Sequence, residues 1–174
     1  MASVLRSFSV SSRALAIAAV LGMAAVGGVG LGCAHPNFFP GTTILRTEEN
    51  QQIFDTLEQY RSRLTQRNVD GLLVLASDRY REDSGTPRSD DDYGYQGLRD
   101  VLKTRLSRVK SIWYEIELRD IHFDEVTHFA DIDVFLNGSF ELSSEGGDRY
   151  RRVNDYHRFV LAREGEKWKF ISGM

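Results

Sequence analysis

The hydrophobic period of this chain changes once, at Lys110, and that change constrains its fold more than any other feature. Before it, apolar residues recur at helical spacing. Ile53, Leu57, Tyr60 and Leu64 lie on one stripe of a helix that Thr47 is placed to cap, with Glu48 and Glu49 in the first turn, where the macrodipole favours acids. The stretch "DGLLVLAS" predicts a short second helix, capped by Asn68 or Asp70 and apolar nearly all round, so that it should be buried. After the loop "DSGTPRSDDD", the segment "YGYQGLRDVLKTRLSRVK" places Leu98, Val101, Leu102, Leu106 and Val109 on one face of a third helix. Asp90, Asp91 and Asp92 precede that helix, and Arg105, Arg108 and Lys110 close it, the charge order a helix dipole prefers.

Beyond Lys110 the period is two. In "SIWYEIELRDIHF", Ile112, Tyr114, Ile116 and Leu118 alternate with Trp113, Glu115, Glu117 and Arg119. In "HFADIDVFLNGSFEL", Ala130, Ile132, Val134 and Leu136 alternate with Phe129, Asp131, Asp133 and Phe135. Asn137-Gly138 is expected to bulge this strand, not to end it, because good strand residues follow directly and a stronger turn, "SSEGGDR", comes soon after. "RRVNDYHRFVLAR", the turn "EGEK" and "WKFISGM" complete an antiparallel sheet. Helices at one end of the chain and strands at the other predict an α+β domain, three helices packed on a bent antiparallel sheet. Leu57, Leu73, Leu102, Ile132 and Trp168 are its expected core.

Residues 1–32 divide as an export signal does. Arg6 and Arg13 mark a polar start with no acid, "ALAIAAVLGMAAVGGVGLG" forms an apolar centre, and small residues crowd its end. Gly30, Leu31 and Gly32 before Cys33 resemble the lipobox of bacterial lipoproteins, although the usual leucine stands three places before the cysteine and here Leu31 stands two before it. The resemblance implies cleavage at Cys33 and acylation of its thiol, which makes the lipid bilayer a partner. It also accounts for a lone cysteine in an exported chain. Ala34 after the cysteine favours the outer membrane by the same resemblance. Residues 33–46, with Pro36, Pro40 and Gly41, are expected to form a tether of at most about 45 Å, at roughly 3.3 Å per extended residue. Residues 47–174 then form one domain.

Without residues 1–32 the chain carries 20 Lys and Arg against 25 Asp and Glu, with the two signs interleaved in "RYREDS" and "DRYRRVND". This lacks the basic excess of a nucleic-acid-binding surface. His35, His122, His128 and His157 do not show zinc-site spacing, and Asp90–Asp92 do not alternate as calcium ligands do, so no metal or other cofactor is expected. Phosphate-loop and Gly-x-Ser-x-Gly patterns are absent.

The element order, with "LEQYRSRLTQRNVDGLLVLASDRY" near the start and "FVLAREGEKWKFISG" at the end, resembles the nuclear transport factor 2-like superfamily, in particular its polyketide-cyclase (SnoaL)-like branch. That resemblance implies a sheet folded around a cone-shaped pocket, which some members use for catalysis. In ketosteroid-isomerase-like members a helix-one tyrosine donates to an oxyanion and a carboxylate after helix two removes a proton. Tyr60 falls on the first position and Asp83 or Ser84 on the second. A His–carboxylate pair acts in other members, and His157 beside Asp155 is the candidate here.

Each candidate has a structural alternative: Tyr60 as a core aromatic, Asp83 as a loop cap, and His157 as a strand residue on the alternation of Phe159 and Leu161, with Asp155 equally able to point outward. The aromatics Trp113, Phe129 and Phe135, with Asp131 and Asp133, line either a pocket or a sheet face that pairs two copies of the chain. The leading expectation is a non-catalytic, membrane-anchored envelope lipoprotein that binds a small ligand or a protein. The alternative is a cofactor-free isomerase, cyclase or dehydratase.

Overall fold

The computed structural model describes residues 37–83, 90–143 and 147–174; Cys33 and the expected signal segment lie outside them. Three helices come first: α1 (Glu48–Thr65), α2 (Val69–Leu75) and, after the two-residue strands β1 (Arg81–Glu82) and β2 (Tyr93–Gly94), α3 (Tyr95–Ser107). Four long strands follow: β3 (Val109–Asp124), β4 (Phe129–Leu142), β5 (Arg149–Glu164) and β6 (Lys167–Ser172). They form an antiparallel meander in the order β3-β4-β5-β6.

The helix caps follow from local chemistry. Thr47 Oγ1 accepts the Asn50 amide at 3.1 Å, and Asn68 Oδ1 accepts the Gly71 amide at 2.8 Å, so Asn68 and not Asp70 starts α2. The stripe of Ile53, Leu57, Tyr60 and Leu64 is buried as its spacing predicts, and α1 lies against β3 and β6. In α2 only Leu72 and Leu73 are buried, while Val74 is 66% exposed, because a two-turn helix on the surface of a domain hides one face and not all. The acids Asp90–Asp92 do not prime α3. Gly94 is its N-cap and no acid stands in its first turn; Asp92 instead pairs with Arg81 at 3.2 Å, beside the β1–β2 ladder that brings these two segments together.

Val109 and Lys110 belong to β3, not to the end of α3: Arg108 closes the helix, Val109 is buried at the start of the strand, and Lys110 pairs with Asp148. The even residues of β4 from Ala130 to Gly138 are buried, and its register with β5 is unbroken from Phe129 opposite Ala162 to Leu142 opposite Arg149.

Asn137-Gly138 therefore neither ends nor bulges the strand. The irregularities lie on β3, where the register shifts between Val109 and Ser111 and between Leu118 and Asp120. Gly138 sits opposite Tyr114, and a Cβ there would come within 2.8 Å of Tyr114 Cδ2. The glycine gives a buried aromatic room to lie flat on the strand, a need that a turn-like dipeptide conceals in sequence.

All five expected core residues are buried. The expected tether contributes to the fold from Asn37 on, because Phe39 is apolar enough to dock. Its amide bonds the Ile44 carbonyl at 2.9 Å, Phe38 bridges Leu45, and the buried Phe39 ring packs 5.0 Å from Phe54.

Candidate functional site

A cavity of about 590 Å³ lies between α1, the C-terminal end of α3 and the start of the sheet. Tyr60 projects into it from α1 and Tyr114 from β3, with ring centroids 6.5 Å apart and edge to face. The two hydroxyls are close enough to influence each other's ionisation. Apolar side chains line the walls, among them Leu64, Leu102, Phe140 and Val153, and the exposed Thr104, Arg105, Arg108 and Arg151 form the rim.

Tyr60 is held from two further directions: its ring is 5.3 Å from Phe159 and 5.3 Å from Phe170, both fully buried. Burial pushes its hydroxyl up from an ordinary 10.0 to about 12, an effect that the positive charge of Arg105 and the Tyr114 hydroxyl offset only in part. Burial, and then the neighbouring Tyr60, push Tyr114 higher still. Both phenols are therefore neutral donors at any physiological pH.

The consequence for stability has a definite sign. An acid whose folded value is raised contributes fully below the unfolded value and loses that contribution as pH rises through the folded one. Stability is expected to hold up to about pH 10 and then to fall by about 2–3 kcal/mol between pH 10 and 12 on account of Tyr60, at 1.36 kcal/mol per unit. Urea midpoints across that range measure this decline, which Tyr60→Phe should make shallower.

The structure does not bring the three sequence candidates together. Asp83 is exposed at the end of β1 and lines a separate depression with Arg79, Arg81 and Phe129, because the β1–β2 ladder directs the chain there after α2. Neither Asp83 nor His157 lines the Tyr60 cavity. His157 packs edge to face on Phe159 at 4.6 Å, and its Nε2 meets the Gly173 carbonyl at 2.7 Å. A carbonyl can only accept, so Nε2 carries the proton. Asp155 does not pair with it, since its Oδ1 accepts the Tyr156 amide at 2.8 Å. His157 thus holds the chain end. Glu82 assists it by accepting the Tyr80 hydroxyl at 2.9 Å and the Gly173 amide at 2.8 Å. Gly173 has φ +91°, and a Cβ there would lie 2.6 Å from the Arg158 carbonyl.

Trp113, Phe129, Asp131, Asp133 and Phe135 lie on the opposite face of the sheet and do not line the cavity. Much of that face is satisfied within the chain. Arg158 forks onto Asp133 at 2.7 and 2.8 Å and reaches Asp131 at 3.6 Å, holding the Asp133 carboxyl below the usual carboxylate range. Phe135 packs 5.3 Å from Tyr156 and under Arg119 at 5.6 Å. Trp113, 51% exposed, is open to solvent.

Comparison with known proteins gives the architecture a name. A provisionally named aromatic ring hydroxylase from Novosphingobium aromaticivorans superposes with a TM-score of 0.60 at 18% identity, over 71% of this chain and 85% of its own. The Kfla4162 protein from Kribbella flavida gives 0.61 at 13%, over 72% and 88%. A provisionally named dehydratase of the nuclear transport factor 2-like family, from Streptomyces avermitilis, gives 0.53 at 12%, over 72% and 93%. The fold is nuclear transport factor 2-like. No protein-family model matches the chain, and no curated protein matches it in sequence.

Proposed function

We propose that this nuclear transport factor 2-like domain is a non-catalytic binding module that holds a small, largely apolar ligand in the Tyr60–Tyr114 cavity and is tethered to the bacterial envelope through an acylated Cys33. One observation carries the binding reading. Among the described residues that line the cavity there is no Asp, Glu or His, so no side chain there can take a proton near neutral pH. What the cavity offers is volume, apolar walls and two neutral hydroxyls, the usual composition of a ligand site with a few orienting polar groups. The tether rests on the apolar segment before Cys33 and on the isolation of that thiol. No helix among the described residues is long and apolar enough to cross a membrane.

A second reading, proton abstraction by an isomerase or dehydratase, is favoured by one feature, the buried pair of phenol donors. It would need a base from outside the described lining. The two readings separate with the full chain in lipid nanodiscs. Saturation-transfer NMR with naphthalenemethanol, a neutral aromatic probe, should show transfer to wild-type protein and lose it in Val153→Trp, which fills the cavity wall. Equal transfer in both would sink the cavity as the binding site. Protein-dependent exchange of the α-protons of an enolisable ketone such as indanone in deuterated water would replace the binding reading with the enzymatic one.

A further inference from the structure

We infer that the cavity selects organic carboxylates, binding the apolar body of the ligand against the walls and its anionic head between Arg105 and Arg108 on one side and Arg151 on the other. The inference rests on the binding reading above and deepens it. All three arginines line the cavity, and all three are exposed at its rim. None has an ion-pair partner among the described residues, a state they share with arginines elsewhere on the domain such as Arg63 and Arg149, but only these three stand together on the lining of one cavity. The clustering matters because the domain as a whole carries more acids than bases, so three cations on one cavity run against its overall charge. No Asp or Glu side chain is among the described lining residues.

Helix electrostatics explains part of the cluster but not all of it. Arg105 stands in the last turn of α3 and Arg108 at its C-cap, where the dipole favours cations. Arg151 belongs to β5, across the cavity mouth and opposite Phe140 in the β4–β5 register, where no dipole calls for it. Three like charges from two elements repel unless an anion joins them. The charge also reaches inward, since Arg105 is near enough to act on the Tyr60 hydroxyl. A guanidinium offers parallel N–H donors that match a carboxylate's two oxygens, a geometry that a lone ammonium lacks. Tyr60 and Tyr114 lie deeper, as further donors to any polar group the ligand carries at its far end.

The test compares naphthoate with naphthamide, its uncharged near-isostere, by calorimetric titration of the full chain in nanodiscs of zwitterionic lipid, with empty nanodiscs as the reference. Naphthoate is expected to bind about tenfold to a hundredfold more tightly, the effect of a charge-assisted hydrogen bond, with the preference shrinking as salt rises. In the double variant Arg105→Gln/Arg151→Gln the preference should fall towards unity while the thermal midpoint stays that of the wild type. If wild type binds the two probes equally, the carboxylate inference is overturned and the cavity reading stands. If the preference survives in the folded double variant, the charge is read elsewhere and the inference is likewise overturned. If neither probe binds, the cavity reading fails and takes the inference with it.

Discussion

Replacing Phe159 by alanine is expected to lower the stability of the domain by about 3–5 kcal/mol, a large part of the roughly 5–15 kcal/mol that a folded domain ordinarily has. Phe159 is fully buried in β5 opposite Ile132, and its ring is the hub of an aromatic cluster: 5.3 Å from Tyr60, 4.6 Å from His157 and 5.4 Å from Phe170. Truncation removes the transfer energy of the ring and leaves a void. The neighbours cannot close that void, because each is fixed elsewhere: Tyr60 by Tyr114, His157 by the Gly173 carbonyl and Phe170 by the Ser77 amide on its own carbonyl at 2.8 Å. Urea denaturation at constant m-value measures the loss. A cost below about 1 kcal/mol would mean that the cluster collapses into the space, which would contradict the fixed packing argued for its neighbours.

Sequence pattern carried the fold well and the site poorly, for physical reasons that particular residues make plain. A stripe such as Ile53, Leu57, Tyr60 and Leu64 and an alternation such as Ala130, Ile132, Val134 and Leu136 are legible because burial imposes a period on residues close in the chain. Gly138 misleads for the converse reason: its small size serves Tyr114, which is a neighbour only through strand pairing.

The site depends on such long-range pairing throughout. Arg105 and Arg108 read as the end of a helix, and Arg151 reads as one sign in the mixed run "DRYRRVND"; nothing local joins them. The β4–β5 register that sets Arg151 opposite Phe140 does so. Asp83 shows the same limit in reverse. Its distance along the chain from Tyr60 suits an acid–base pair, yet the β1–β2 ladder takes it to another depression. Glu82, one residue earlier, is the carboxylate that turns toward the protein, where it serves the chain end and not the cavity.

Changing Cys33 to serine is expected to convert a membrane-bound mature protein into an uncleaved precursor. The proposal behind this is that the thiol is acylated and that cleavage follows acylation, so a hydroxyl in its place blocks both steps. The physical effect is large because each buried methylene contributes about 0.8 kcal/mol: one acyl chain gives only marginal and reversible attachment, whereas two hold a protein stably. Nothing in the folded part competes with that term. Its helices α1 and α3 carry acids and bases along their outer faces, and residues 37–46 are docked on the core through Phe39. Membrane attachment should therefore follow Cys33 alone, and the variant's only remaining hold on a bilayer is the apolar segment that precedes it. Fractionation, detergent partitioning and the mass of the N-terminal peptide decide the matter together. Wild-type protein should enter the detergent phase with a lipid-modified N-terminus at Cys33, and Cys33→Ser should retain residues 1–32. A wild-type protein that is mature at some other residue and wholly aqueous would remove the lipid anchor from the account. The cavity proposed to select carboxylates would remain, since its described lining lies within residues 60–174 and includes nothing from the segment around Cys33.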